Sequence, residues 1–115
     1  MVSIETFRQF ANAFPNVIEL PHFEKTSFRV NKKIFATLDV SSALAVVKLS
    51  PIDQSVFCEF NKEIIYPVKG AWGKQGWTMV ELKKVKKNLF IDLLTTSYTL
   101  VSTPKSKSTK KKNNE

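Results

Sequence analysis

All three glycines of the chain lie within seven residues, from Gly70 to Gly76, and both tryptophans lie in the same segment. A domain of this size ordinarily places glycines in turns along its whole length, because glycine adopts positive φ and allows close backbone approach. Here they are concentrated between Pro67 and Thr78. This pattern predicts a shaped loop with exposed amides beside large flat side chains, and at least one glycine among Gly70, Gly73 and Gly76 with positive φ.

The composition predicts one globular domain over residues 1–103. The chain has 115 residues, of which 43% are hydrophobic and 11% aromatic, enough for a single core. No run of ~18 apolar residues is present, so we expect no membrane span. The N-terminus lacks the pattern of a secretory signal. The single cysteine, Cys58, excludes an internal disulfide and is typical of a reducing compartment, so we expect a cytoplasmic protein. We also expect a monomer.

The net charge of +8 is unevenly distributed. Residues 104–115 contain five lysines and one acidic residue and no apolar side chain, so we expect this tail to be disordered. Residues 1–103 contain 13 basic and 9 acidic residues. A basic body with a strongly basic tail suggests a polyanionic partner, although a short lysine run is also typical of a solvated, solubilising tail.

Hydrophobic periodicity and local capping signals predict the secondary structure. Ser3 begins a helix, and Ser50-Pro51-Ile52-Asp53 combines an N-cap hydroxyl, a proline at the first helical position and a carboxylate in the first turn. Asn31-Lys32 is a candidate two-residue hairpin turn. The segments 17–23 and 64–68 are predicted only as extended. The predicted helices are 3–14, 51–61 and 87–102, and the predicted strands are 27–30, 34–40, 43–49 and 77–82.

The order α-β-β-β-α-β-α predicts an α+β fold, a two-layer sandwich with helices packed on one face of an antiparallel sheet. Alternation places Phe35 on the opposite face of its strand from Ile34, Ala36 and Leu38. The alternation of Trp77 with Met79 predicts an inward face for Trp77. Four apolar side chains of the second helix are expected to face inward: Ile52, Val56, Phe57 and Phe60.

Several segments resemble the MmcQ/YjbR-like family over about residues 4–103. The run from Pro21 to Leu38 looks like the first hairpin of that family, and Val47 to Pro51 looks like the approach to its helix. Pro67 to Thr78 is similar to its Gly-x-Trp-x-x-x-Gly-Trp element, and Ser97-Tyr98-x-x-Val101 also fits. The chain departs from relatives that have two glycines at Asn31-Lys32. The resemblance implies a fold like the bacterial frataxin homologue and a proposed double-wing DNA-binding motif, and it brings no catalytic role.

The residues themselves argue against an enzyme and against a metal or cofactor site. His22 is the only histidine, and no Gly-x-Ser-x-Gly elbow accompanies it. One histidine, one cysteine and scattered carboxylates give no ligand cluster. The glycine segment lacks the Gly-Lys-Ser/Thr of a P-loop. We therefore expect no catalysis, no cofactor and no metal.

Two functions remain open. The first is sequence-tolerant DNA binding, in which a lysine-rich stripe and the Gly/Trp loop contact phosphates. Its candidate residues are Lys69, Lys74, Lys83, Lys84, Lys86, Lys87 and Trp72, with Gly70, Gly73, Gly76 and Trp77 as the structural loop. The lysines could equally form a solvated surface, and the tryptophans could be core or loop anchors. The second function is a protein- or small-ligand-interaction module that uses a concave sheet face lined by aromatics such as Phe35 and Trp72.

Overall fold

The computed structural model describes residues 1–103, which form four helices and six strands. The disorder predicted for residues 104–115 lies outside the described residues. The helices are α1 (Ile4–Ala13), α2 (Pro51–Phe60), α3 (Ala71–Lys74) and α4 (Lys87–Ser102). The strands are β1 (Ile18–His22), β2 (Lys25–Val30), β3 (Lys33–Asp39), β4 (Leu44–Lys48), β5 (Ile65–Pro67) and β6 (Trp77–Glu81).

The six strands form one antiparallel sheet in the order β1-β2-β3-β4-β6-β5. The first four strands are a meander, and β6 then inserts between β4 and β5. The predicted α+β class with an antiparallel sheet is confirmed, and the predicted strands and long helices are present with small changes at their ends. The two segments predicted only as extended contain strands β1 and β5, and α3 is an additional short helix.

Local signals account for the ends of the elements. The Ser3 hydroxyl accepts a hydrogen bond from Thr6 N, and the Ser50 hydroxyl accepts one from Asp53 N, so both predicted N-caps are confirmed. Asn31 and Lys32 have φ of 53° and 69° and join β2 to β3. Two consecutive positive φ values are characteristic of the type I′ turn, whose twist matches that of the flanking strands.

The sheet has a covered face and an open face. Helices α1, α2 and α4 lie on the covered face, where the rings of Phe7 and Phe28 are 5.3 Å apart and Gln54 binds Thr78. Its strand residues are almost wholly buried: Phe28, Ala36, Leu38, Ala45, Val47, Ile65, Thr78 and Val80. Cross-strand pairs place the alternate residues on the open face, where most are half-buried or exposed: Ile18, Leu20, His22, Arg29, Ile34, Thr37, Val46, Lys48, Tyr66, Trp77 and Met79.

A β-bulge in β3 overturns the predicted position of Phe35. The pairing changes from Phe28 with Ala36 to Arg29 with Ile34, which leaves Phe35 as one extra residue. Phe35 is fully buried, and its ring packs 5.5 Å from Tyr98 and 6.3 Å from Phe14. It therefore belongs to the core and lines no ligand face. Strict alternation failed here because the extra residue shifts the phase of the strand.

Ser97 of α4 bridges the backbone at this irregularity. Its buried hydroxyl donates to Phe35 O at 2.6 Å and accepts from Lys48 N at 3.1 Å. The side chain thus joins β3, β4 and α4 where the two strands lack a direct pairing. This is the structural role of Ser97 in the Ser97-Tyr98-x-x-Val101 motif of the sequence.

The inward orientation predicted for α2 is wrong for three of its four apolar residues. Ile52, Val56 and Phe60 are exposed by 76%, 54% and 65%, whereas Phe57 is half-buried. The side of the helix that meets the sheet carries Gln54, Phe57 and Cys58. The spacing of 52, 56 and 60 identified a helical stripe correctly, but the sheet packs against a different side of the helix.

Candidate nucleic-acid interface

The segment between β5 and β6 is shaped by its glycines. Gly70 has φ of 78° and precedes α3, and Gly76 has φ of 106° just before β6. The positive φ predicted for at least one of the three is therefore observed at two. Gly73 has ordinary φ, but a Cβ there would lie 1.9 Å from Val68 O. A Cβ on Gly76 would lie 1.8 Å from Leu49 O, so both glycines permit backbone contacts that no other residue allows.

Hydrogen bonds hold this segment against α2 and β4. The Gln54 side-chain amide donates to Gly73 O at 2.9 Å, to Trp77 O at 3.2 Å and to Thr78 Oγ1 at 3.1 Å. Leu49 N donates to Gly76 O at 2.9 Å. These contacts position α3, and with it Trp72, relative to the sheet. Trp72 is nonetheless 62% exposed, so an indole is held at the surface by a well-anchored backbone.

Trp77 lies on the open face, which corrects the inward orientation predicted from its alternation with Met79. Its neighbours Thr78 and Val80 are the buried residues of β6. Trp77 pairs across the sheet with Lys48, whose ammonium is 5.3 Å from the centre of the indole ring and donates to Gln75 O at 2.5 Å. This is a cation–π geometry in which the lysine charge and the indole share one surface.

The two indoles flank an open cavity of about 350 Å³ on the open face. Its remaining walls are mainly aliphatic and come from β3, β4 and the residue after β5, with His22 and Lys25 at the far side. The lining comprises His22, Lys25, Ile34, Thr37, Val46, Val68, Trp72 and Trp77. The sheet thus offers a largely apolar, partly aromatic surface where the sequence placed Phe35.

The register brings further lysines to this end of the sheet. Lys33 and Lys48 line a second, smaller cavity of about 190 Å³ together with Trp77, with Leu100 and Val101 of α4 and with Thr103 just after it. We call this region the tryptophan end, defined by Trp72, Trp77, Lys33, Lys48, Lys69 and Lys74. Sequence reasoning missed Lys33 and Lys48 because their proximity to Trp77 depends on the pairing of β4 with β6, which are not consecutive strands.

The predicted lysine stripe is divided into two clusters. Lys69 and Lys74 lie at the tryptophan end, and the exposed residues Lys83, Lys84, Lys86 and Lys87 follow the other end of β6. A five-residue strand separates the clusters by roughly 17 Å. Between them Glu81 accepts a hydrogen bond from Tyr66 Oη at 2.5 Å and lies 3.7 Å from Lys84. A carboxylate therefore interrupts the positive surface at the far end.

Three lysines of the tryptophan end, Lys33, Lys69 and Lys74, form no ion pair with residues 1–103. Within residues 1–103 the two ion pairs are Arg8 with Glu19, at 3.0 Å, and Lys84 with Glu81. Lys87 of the other cluster lies 5.5 Å from the ring centre of Phe10.

Two titratable groups outside the tryptophan end have raised pKa values. The hydrogen bond to Glu81 raises the pKa of the Tyr66 phenol, and burial raises the pKa of the Cys58 thiol. In residues 1–103 no group of three His, Cys, Asp or Glu side chains is arranged to hold a metal ion. Among the helices of the same residues, none combines the length and hydrophobicity that crossing a membrane requires.

Comparison with known proteins identifies the family of the chain. The crystal structure of Deinococcus radiodurans protein DR2400, with a DUF419 domain, is similar with a TM-score of 0.78 and 23% identity over 96% of this chain and 84% of that chain. A protein from Pseudomonas syringae is similar with a TM-score of 0.65 and 16% identity over 87% of this chain and 99% of that chain. At these identities the likenesses show the fold. A search of curated proteins finds no match. The YjbR family model matches residues 12–100, and the chain belongs to that family.

Proposed function

We propose that this YjbR-family protein is a non-enzymatic, sequence-tolerant DNA-binding protein whose lysines contact phosphates around the Gly/Trp loop. The observation that carries the proposal is the tryptophan end, where Lys33 and Lys48 line a cavity with the half-buried Trp77. Lys69 and Lys74 lie within three residues of the exposed Trp72 along the chain. Lysine contacts with phosphates supply affinity that does not depend on sequence. The cluster from Lys83 to Lys87 adds a second, weaker contact region at the far end of β6, where Glu81 reduces the positive potential.

The end of the described chain supports a role for the basic tail in the same site. Thr103 lines the cavity that also contains Lys33, Lys48 and Trp77. The described chain therefore ends at the tryptophan end, and the sequence continues with the five lysines of residues 104–115. Attachment at this point raises their effective concentration near any polyanion bound there. The body and the tail would then act on one nucleic acid.

The test separates the body from the tail. Binding of a labelled DNA duplex is titrated over a range of salt concentrations for the full chain and for a chain that ends at Thr103. Removal of the tail is expected to lower the affinity and flatten the salt dependence. In the shortened chain, Lys69→Ala and Lys74→Ala should each reduce the slope of log K against log salt by about 0.9 for every phosphate that the lysine neutralises.

The matched control is Lys62→Ala, which removes the same charge from an exposed residue between α2 and β5. It is expected to leave the slope nearly unchanged. If the shortened chain binds no DNA at ~50 mM salt, or if Lys62→Ala has the same effect as Lys69→Ala and Lys74→Ala, the body contains no such site.

A second candidate is a protein- or small-ligand-interaction module on the open face. The specific observation in its favour is the largely apolar cavity beside Trp72 and Trp77, since a phosphate site needs no such surface. This alternative no longer includes Phe35, which is buried. It would be favoured if the shortened chain failed to bind DNA but an apolar peptide or dye quenched tryptophan fluorescence in a Trp72-dependent way.

A further inference from the structure

We infer that the cavity on the open face receives an unpaired base of a single-stranded nucleic acid, stacked against Trp72 while lysines beside the cavity contact the adjoining phosphates. The inference rests on the proposed function and names the form of nucleic acid that this site prefers. Contact with duplex phosphates requires charged side chains alone, and it gives no use for an exposed indole beside an apolar cavity.

The cavity has the size and walls of a site for a flat apolar group. Its volume of about 350 Å³ lies within the range of small-ligand pockets. Ile34, Val46 and Val68 supply aliphatic walls, and the two indoles supply planar ones. Every base has a π face, so stacking on an indole is favourable for each of them.

The polar groups of the lining are few, and this favours sequence tolerance. Thr37, His22 and Lys25 are the polar side chains that line the cavity in the described residues. Discrimination among bases requires several hydrogen-bonding groups fixed against the base edge. The mainly apolar lining instead holds a base by its face, which differs little from one base to another.

Charge complementarity favours a phosphodiester chain over a neutral ligand. Lys25 of β2 lies on one side of the cavity, and Lys48, Lys69 and Lys74 lie toward the tryptophan end. Strands β2 and β6 are three positions apart in the sheet, roughly 14 Å at the usual spacing, and the register displaces Lys25 from Trp77 by a further four residues along the strands, roughly 13 Å. A nucleic-acid strand that crosses the cavity diagonally over several nucleotides would therefore have ammonium groups near phosphates on both sides of the stacked base.

Double-stranded DNA cannot use the cavity in this way. Its bases are paired and stacked on one another, so their faces are not available to a protein side chain without unstacking. The full chain is therefore expected to bind an oligothymidylate strand more tightly than a duplex of equal length. An abasic strand of the same length should lose most of this preference, because it keeps the phosphates but lacks the bases.

The decisive variant is Trp72→Ala in the full chain. Because Trp72 is largely exposed, its replacement should leave the fold intact, which circular dichroism would verify. Affinity for oligothymidylate is expected to fall about tenfold, as for the loss of one stacked base, while duplex affinity changes by less than about twofold. Trp72→Phe should restore part of the lost affinity because it retains an aromatic face.

Phe60→Ala is the matched control, since Phe60 is a similarly exposed aromatic residue on α2. It should change neither affinity. Equal binding of strand, duplex and abasic strand, or equal effects of Trp72→Ala and Phe60→Ala, would overturn the base-stacking site while leaving phosphate-mediated binding in place. Absence of binding to every probe at ~50 mM salt would overturn the proposed function as well.

Discussion

Alanine substitution at each of the three glycines separates two causes of destabilisation, backbone strain from positive φ and steric overlap of the added Cβ, which the three positions combine differently. Gly70 has φ of 78° and ψ of −152°, a region that is almost exclusive to glycine, but a Cβ there would meet no atom within 4 Å. Its replacement therefore introduces backbone strain alone, about 1–3 kcal/mol. The reduced entropy of the unfolded chain returns roughly 0.4–1 kcal/mol, so we expect a net loss near 1 kcal/mol.

Gly73 has the opposite combination of ordinary φ and no space. Its Cβ would lie 1.9 Å from Val68 O, where a carbon–oxygen contact normally needs about 3.3 Å. The backbone must move by more than 1 Å, which weakens the hydrogen bonds that Gly73 O accepts from Gln54 and from Gly76 N. At about 1 kcal/mol for each bond, with a similar cost for overpacking and the same return from the unfolded chain as at Gly70, the net loss is about 2–3 kcal/mol.

Gly76 combines both costs and should be the most sensitive position. It has φ of 106°, and its Cβ would lie 1.8 Å from Leu49 O, on the residue whose N–H donates to Gly76 O. We expect Gly76→Ala to cost about 4 kcal/mol or more, a large part of the total stability of a typical domain.

Urea unfolding followed by tryptophan fluorescence measures these differences directly. The expected order of destabilisation is Gly70→Ala, then Gly73→Ala, then Gly76→Ala, with Lys69→Ala as an exposed neighbour that should change stability by less than about 0.5 kcal/mol. Equal destabilisation by Gly70→Ala and Gly76→Ala would contradict the separation of backbone strain from steric overlap. A Gly76→Ala variant within about 1 kcal/mol of the unchanged protein would contradict both costs at that position.

Three further predictions test the packing described above. Urea unfolding of Ser97→Ala should show a free energy of unfolding lower by about 1–3 kcal/mol, because Phe35 O and Lys48 N lose the hydroxyl that they share. An effect no larger than that of Thr99→Ala, at an exposed residue of the same helix, would contradict this role. Val56→Ser should change the free energy of unfolding by less than about 0.5 kcal/mol, because Val56 is exposed, whereas Leu93→Ala in the core should lower it by about 2–5 kcal/mol. Comparable losses for the two variants would mean that α2 buries Val56. Cys58 should react more slowly with iodoacetamide at pH 8 in the folded protein than in urea, because burial raises its pKa and lowers the thiolate fraction; equal rates would refute this.

The local features of the fold were predictable because their causes are local. The helix starts at Ser3 and Ser50 follow from a hydroxyl that binds an amide three residues ahead. The Asn31-Lys32 turn follows from the tolerance of asparagine for positive φ. The clustered glycines likewise indicated unusual backbone geometry, and Gly70 and Gly76 have it.

The candidate site was predictable only in part. The sequence places Trp72, Lys69 and Lys74 in one segment, and their proximity follows directly from their spacing. Lys33 and Lys48 join them through pairing of strands that are distant in the chain, and no short-range signal specifies that partner. The interruption of the lysine stripe by Glu81 likewise depends on which face of β6 remains open.

Sequence alone determined the three long helices, most strands, the Asn31-Lys32 turn and the family, since each depends on contacts among residues close along the chain or on motifs in a fixed order. Tertiary structure decided which face of each element is buried. Period-2 alternation shows that Trp77 and Thr78 point in opposite directions, but only the helices packed on one side make Thr78 the buried one. One extra residue in β3 buried Phe35, and the packing of α2 left Val56 in solvent. Burial depends on what lies opposite a side chain, and that is a property of the assembled fold.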